Sequence, residues 1–359
     1  MANNIYIFTN SYKPILGGIQ TVTSQLAEAM IERGLNVIVI TNLSRHVRKI
    51  YEKISKVPVI RFPFDYSITF LFLCVLFFFR RPKAIYVHFP INQASFILKL
   101  KKYFDFNLIT CFHGHDVLRY DEGYSKDTQI FKSQRDLVHL SDSITACSFW
   151  LARKVEDIFD CKGVKAIYNA VELSRFKEKY PSPFEHKYIF AFGRLEKIKG
   201  FDLLINAFNK IQSKNDVYLL IAGEGSQQSD LENLIANLSL EHRCKLIGRK
   251  SPHEIVAYAQ NSVVNVIPSY RESFGITALE AIASNRPVIA TNVGGLPEVV
   301  SKSFGLLVDP SIEDLSNGLN NVLKNSDMFD FSYAETYLMH FDIKSMINNY
   351  INLMQDNDI

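Results

Sequence analysis

The sequence predicts an α/β protein of two domains, each a parallel β-sheet covered by helices. Three observations predict it. The chain has 359 residues, more than one core of ordinary size and enough for two. Short apolar runs alternate with helix-length segments from end to end, the pattern of parallel βαβ units. The stretch Asn169 to His186 is polar, holds Pro181 and Pro183 and has no periodicity. It reads as a linker (169–186) between a first domain, 1–168, and a second, 187–328.

In the first domain, Ile5 to Thr9 reads as a strand, followed by a glycine-containing loop and a helix from about Gln20 to Arg33. Gly34 stands where a helix C-terminal glycine belongs. Further strands are Asn36 to Thr41, Ala84 to His88, Leu108 to Phe112, Ser143 to Cys147 and Val164 to Tyr168. The second domain continues with strands Tyr188 to Phe192, Val217 to Ala222, Lys245 to Ile247, Val263 to Ile267 and Val288 to Thr291. Helices between them include Phe201 to Gln212 and Ile276 to Ser284. Residues 329–359 read as a C-terminal helical segment. Its apolar positions Met346, Ile347, Tyr350, Ile351 and Met354 suit a helix that crosses back onto the first domain.

Composition narrows the function. At 47% hydrophobic and 21% charged residues, each half can bury a core, which excludes a disordered chain. The five cysteines are scattered, with no CxxC pair and no clustered histidines. That argues against a zinc site or a disulfide framework and suits a cytoplasmic protein. MANNIYIFTN enters a strand without a signal-type segment, so export is not expected.

Up to Tyr168 there are 22 Lys/Arg against 14 Asp/Glu; the remainder has 18 against 23. The first half is thus the part suited to an anionic partner. No nucleic-acid-binding module is recognisable, which leaves an anionic membrane surface. The run Ile68 to Phe79 bears on this. At about a dozen residues it is short of the roughly 20 needed to span a bilayer. It reads either as a buried helix or as a helix partly dipped into a membrane surface, with Arg80, Arg81 and Lys83 beside it. Arg45, Arg48, Lys49, Lys53 and Lys56 are near in sequence. The second reading places the protein peripherally on the inner face of the plasma membrane.

Five motifs carry chemistry. Gly17-Gly18 follows a strand and precedes a helix, so its backbone N–H groups can approach an anion or a sugar. It lacks the GxGxxG spacing of a dinucleotide site. AFGRLEKIKG turns at Gly193 and projects Arg194 and Lys199 near the C-terminal edge of the second sheet, where ligands bind in open α/β folds. A guanidinium and an ammonium there can hold a diphosphate. Gly223-Glu224-Gly225 forms a second tight loop at that edge. Next, Glu272 and Glu280 stand with seven residues between them. Phe274-Gly275-Ile276 offers the N–H groups of a helix start to a phosphate. Finally, His113-Gly114-His115-Asp116 follows a strand of the first domain. His113 is a candidate to contact a transferred sugar or polarise an acceptor, with His115, Asp116 and Gly17 as acceptor-side candidates.

Together with NAVE (Asn169 to Glu172) and NVGGLPEVV (Asn292 to Val300), these motifs resemble the family 4 (group 1) glycosyltransferases of the GT-B fold, over almost the whole chain. The resemblance implies two facing Rossmann-like domains with the active site between them, and a hexosyltransferase that retains anomeric configuration. It implies a UDP- or GDP-linked sugar as donor, with no bound cofactor and no metal. Donor phosphates would lie on Arg194, Lys199 and the Phe274–Ile276 amides, with Gly18, Gly193, Gly223 and Glu224 lining the site. Glu280 would take the ribose, Glu272 the donor sugar, and His113 a place beside that sugar. The D-x-D at Asp356 and Asp358, at the tail, is the sole one in the sequence. Ser273 stands where the family often has glycine, and Glu172 where it often has aspartate. The acceptor is expected to be a glycan, lipid-linked, in bacterial surface polysaccharide or lipopolysaccharide biosynthesis. Alternatives are a soluble sugar or sugar-phosphate acceptor, a phosphorylase or epimerase of the same architecture, and a non-catalytic nucleotide-binding subunit.

Overall fold

The computed structural model describes residues 4–355 except 16, 44–46, 48, 63–66, 212–216 and 326–327. Arg45, Arg48, Asp356 and Asp358 lie outside the described residues. The chain divides into two compact units, one of residues 1–170 with 343–359, the other of residues 171–342.

The first unit holds eight strands: β1 (Asn4–Thr9), β2 (Asn36–Asn42), β3 (Tyr51–Ile54), β4 (Val57–Phe62), β5 (Pro82–His88), β6 (Asn107–Phe112), β7 (Ser143–Ala146) and β8 (Lys165–Ala166). They form one sheet in the order β3-β4-β2-β1-β5-β6-β7-β8. All neighbours run parallel except β3, which is antiparallel to β4. The sequence reading had no β3–β4 hairpin. Its turn uses Ser55 and Lys56, both at positive φ (48° and 71°), in place of the Asn-Gly or Asp-Gly pair that announces such turns.

Parallel strands covered on both faces need apolar side chains on both, and β1, β2 and β5 supply them almost continuously. Tyr6, Phe8, Ile85, Val87 and Ile97 are fully buried in one core cluster, joined by Leu73 and Phe77 of the helix Ser67–Phe79.

The second unit holds β9 (Tyr188–Phe192), β10 (Tyr218–Ala222), β11 (Cys244–Leu246), β12 (Val264–Ile267), β13 (Val288–Thr291) and β14 (Gly305–Val308). Their order is β11-β10-β9-β12-β13-β14, all parallel. Its largest core packs the helices Phe201–Asn209 and Ile312–Lys324 on one face.

Residues 171–186, read from sequence as a linker, count with this unit. The Gln260 carboxamide donates to the carbonyls of Phe176 and Glu178 (3.1 and 2.8 Å), and Asn261 donates to that of Tyr180 (3.0 Å). Side-chain amides rather than a ladder hold the segment, hence its lack of periodicity.

The helix Ile343–Gln355 packs against the helix Gly18–Glu32 of the first unit. Tyr86 donates its hydroxyl to the Tyr350 carbonyl (2.8 Å), and Arg33 donates to Asn348 (2.7 Å). Residues 329–342 stay with the second unit.

Candidate active site

In the second sheet the strand order reverses between β9 and β12, and crevices at such reversals are where open α/β sheets bind ligands. The loops leaving these two strands are joined there: the N–H groups of Tyr270 and Arg271 both donate to the Ile198 carbonyl (2.9 and 3.3 Å). The Lys199 ammonium donates to a Glu272 carboxylate oxygen at 2.6 Å, with 21% and 14% of the two side chains exposed. Arg194 is exposed on the same loop as Lys199.

The helix Ile276–Ala283 begins immediately beyond, at Gly275 (φ 111°), with no side-chain cap and no acidic residue in its first turn. Its positive end is therefore uncompensated by the protein, as suits an anion. Phe274 is buried against Phe341, so its part at this helix start falls to its backbone.

One turn along the helix stands Glu280, four residues after Ile276 and so on the same face. Burial raises its carboxyl to about 7, offset in part by Arg175, whose Nη1 lies 3.7 Å away. Arg175 comes from the turn Leu173–Phe176, and its other terminal nitrogen donates to the Pro252 carbonyl (3.4 Å).

Two glycines allow the loops to approach so closely. A Cβ on Gly223 would lie 1.8 Å from the Gly193 carbonyl oxygen. A Cβ on Gly294 (φ 58°) would lie 1.8 Å from the Glu272 carbonyl oxygen, which also accepts from Gly295 N–H (3.0 Å). The NVGG motif thus braces the backbone of Glu272. Glu224 has an exposed side chain, and its carbonyl accepts from Leu195 N–H (2.9 Å).

In the first sheet the reversal falls between β1 and β5. Asn10, after β1, donates to the Phe89 carbonyl, after β5, at 3.3 Å. The helix Gly18–Glu32 starts on the glycine pair, whose Gly17 carbonyl accepts from Thr21 N–H (3.0 Å). His113 follows β6. Its Nε2 lies 2.8 Å from Nδ1 of His88, the last residue of β5, with the rings stacked 22° from parallel. Burial lowers His113 to about 4, and it also lowers His88 well below the usual histidine value, aided by the neighbouring imidazole. Both rings are therefore neutral at ordinary pH.

Asp116 is fully buried and accepts from the N–H groups of His113 (3.1 Å) and Gly114 (2.7 Å). Desolvation raises it to about 7 against those bonds. It faces its own loop and fixes how His113 is presented. His115 is exposed, with Nδ1 3.8 Å from Glu122.

Comparison with known proteins now decides the family. A model described as Glycosyltransferase Family 4 matches residues 16–175, and one described as Glycosyl transferases group 1 matches residues 174–333. The chain belongs to the family 4, group 1 glycosyltransferases.

Among curated relatives of this glycosyltransferase, N-acetyl-alpha-D-glucosaminyl L-malate synthase of Bacillus anthracis is 26% identical over 309 residues. The match covers 80% of this chain and 79% of that one. Sucrose-phosphate synthase from Thermosynechococcus elongatus superposes with a TM-score of 0.83 at 20% identity, covering 99% and 98% of the two chains. Anabaena HepE in complex with UDP and glucose gives 0.76 at 21%, covering 98% and 99%. At these identities the two structures establish the fold, GT-B.

The predicted residues of the glycosyltransferase thus gather at two sheet edges. Arg194, Lys199, Glu272, Glu280 and the Gly275 helix start share the second unit's edge. His113 and the Gly17-Gly18 loop stand at the first unit's edge. Sequence reasoning missed His88, Arg175 and the bracing by Gly294. For His88 a signal existed: a second histidine ends the strand adjacent to β6, in register with Cys111.

Proposed function

We propose that this glycosyltransferase moves a sugar, with retention of anomeric configuration, from a UDP- or GDP-linked donor to a hydroxyl of a lipid-linked glycan. Its setting is bacterial surface polysaccharide or lipopolysaccharide assembly at the inner face of the plasma membrane. UDP is favoured, since HepE binds UDP and glucose within the same fold. The observation that carries the reading is the Lys199–Glu272 pair over the strand reversal, beside an uncapped helix start.

Arg194, Lys199 and the Ile276 amide hold the diphosphate, Glu280 accepts from the ribose hydroxyls and Glu272 from those of the sugar. As the bond from the anomeric carbon to the diphosphate breaks, the two cations stabilise the departing charge, the electrostatic contribution that dominates in such sites. The acceptor oxygen bonds the same face of that carbon, and its proton passes to the departing phosphate oxygen. No carboxylate is needed as a nucleophile. Neutral His113 can offer a hydrogen bond, not a charge, to a sugar or an acceptor. With cations of its own at the diphosphate, the enzyme works without a bound metal.

The test is thermal unfolding with UDP, GDP and ADP, for the wild type and Glu280→Ala. A ligand at about 100 times its dissociation constant adds roughly 2.7 kcal/mol, a shift of a few degrees. A shift with UDP that disappears in the variant supports the donor assignment; no shift with any diphosphate defeats it. The anomeric configuration of the product, read by NMR, tests retention. Efficient transfer to small soluble sugars favours a soluble acceptor instead.

A further inference from the structure

The helix Ser67–Phe79 is apolar all round, and the fold uses one side of it. Leu73 and Phe77 are fully buried against Tyr6 and the rest of the first unit's core. On the other side Ile68, Leu71, Phe72, Val75, Phe78 and Phe79 stand out, at exposures from 44% (Phe72) to 82% (Ile68). Their spacing of three and four residues makes a single stripe along the helix. Six large apolar side chains on one face are a contiguous patch of the kind that marks an interaction surface. Tyr103, exposed by 71%, stands beside the helix, its ring 6.0 Å from that of the half-buried Phe70.

We infer that this face docks on an anionic lipid bilayer, with the helix lying in the plane of the interface. At 13 residues it is about 20 Å long, too short to span the roughly 30 Å hydrocarbon core. No helix among the described residues is long and apolar enough to cross a membrane. Charge selects the occupant. The helix carries no acidic residue, and exposed Arg80 and Arg81 follow it directly. Lys99 and Lys102, also exposed, lie on the neighbouring segment that bears Tyr103; the nearby Asp105 lies 4.0 Å from Lys101. Residues up to Tyr168 hold 22 cationic against 14 acidic side chains, an excess that repels a second copy and draws an anionic surface.

Aromatic and aliphatic side chains inserted at the headgroup level, with cations beside them, match an interfacial helix. The inference deepens the reading of a lipid-linked acceptor and rests on it for its purpose: an enzyme held at the bilayer meets an acceptor confined there.

The experiment is flotation of the full chain with vesicles of phosphatidylcholine alone or with about 30 mol % phosphatidylglycerol. The wild type is expected to float with the anionic vesicles, less so at high salt. The triple variant Leu71→Ser, Val75→Ser, Phe78→Ser is expected to bind about tenfold or more weakly, with its melting temperature and UDP response unchanged. Arg80→Gln with Arg81→Gln is expected to lose the preference for anionic lipid. The inference is overturned if the wild type ignores both vesicles, or if the triple variant floats like the wild type. It is equally overturned if the triple variant merely converts a dimer to a monomer in size-exclusion chromatography, which would make the occupant a second copy. Vesicle binding without a UDP response would sink the donor assignment and leave this one standing; the reverse outcome would do the opposite.

Discussion

Lys199 and Glu272 meet at 2.6 Å across the strand reversal of the second sheet, both side chains mostly buried. The two groups proposed to hold the diphosphate and the sugar therefore satisfy one another, and a donor has to draw both into new contacts. Their partial burial means that deleting either leaves the other charge poorly solvated, whereas deleting both does not. Lys199→Met and Glu272→Gln are each expected to cost about 1–2 kcal/mol of stability, and the double variant less than their sum. Thermal unfolding of the four proteins checks this. Additive losses would show that the pair has no coupling. Turnover of Lys199→Met is expected to fall about a hundredfold, as for loss of one donor to a developing anion.

The pH dependence of donor binding follows from Glu280. Its folded pKa is raised to about 7 from 4.5 by burial, so the stability tied to its protonated form is present below about 4.5 and disappears as pH rises through about 7. Donor binding runs the other way, since the ionised carboxylate is the better acceptor for ribose hydroxyls. UDP affinity is thus expected to weaken as pH falls from about 8 to 6, and Glu280→Gln to flatten that profile. The variant is also expected to gain stability relative to wild type as pH rises from about 4.5 to 7, by at most about 3 kcal/mol. Asp116 has a similarly raised pKa, but it belongs to the first unit and remains in the variant, so comparison of the two proteins isolates Glu280. A titration calorimetry series with UDP measures the affinity; an unchanged pH profile in the variant refutes the assignment.

Gly294 is a point where backbone shape serves the site without side-chain chemistry. At φ 58° an alanine is strained, and its Cβ would meet the Glu272 carbonyl at 1.8 Å. Gly294→Ala is expected to cost about 2 kcal/mol or more, a fall in melting temperature of about 4–8 °C, and to weaken the response to UDP as the Glu272 loop moves. A variant that melts normally and binds UDP normally would show that the bracing is dispensable.

These three cases also show what the sequence could reveal. Arg194, Lys199 and Glu272 were legible because each lies in a loop that leaves an apolar strand, and strand ends in a parallel sheet share one edge; Glu280 was legible from its place one turn into the helix that follows. The run Ile68 to Phe79 was legible as a helix but not by face, since a segment apolar all round has no periodicity to say which side the core takes. Arg175 was not legible: it reaches Glu280 from 105 residues earlier along the chain through an irregular segment, where no period links the two. The β3–β4 hairpin escaped because Ser55-Lys56 adopts left-handed conformations without the residues that favour them.

His88 sets the last prediction. Its Nδ1 and Nε2 of His113 share one hydrogen bond at 2.8 Å; His88 is fully buried and His113 half-buried, and desolvation lowers both, His113 to about 4. Two neutral imidazoles that share one proton fix each other's tautomer, so His88 decides which nitrogen of His113 offers a proton and which accepts one. Tyr350, from the helix Ile343–Gln355, holds the pair from behind, its ring 5.8 Å from that of His88. His88→Phe keeps the packing and removes the bond. Its turnover is expected to fall about tenfold, the effect of one lost buried hydrogen bond, with UDP affinity unchanged because the groups proposed to hold the diphosphate and ribose lie on the other unit. In a His113→Ala background the same change is expected to cost nothing further, since His88 acts through His113. With donor saturating, so that the Glu280 limb in donor affinity does not enter, wild-type turnover is expected to show no His113-dependent ionisation near pH 6.5, the ordinary histidine value. A limb there that disappears with His113→Ala would mean that a protonated imidazole takes part, and that the neutral pair is not the working state.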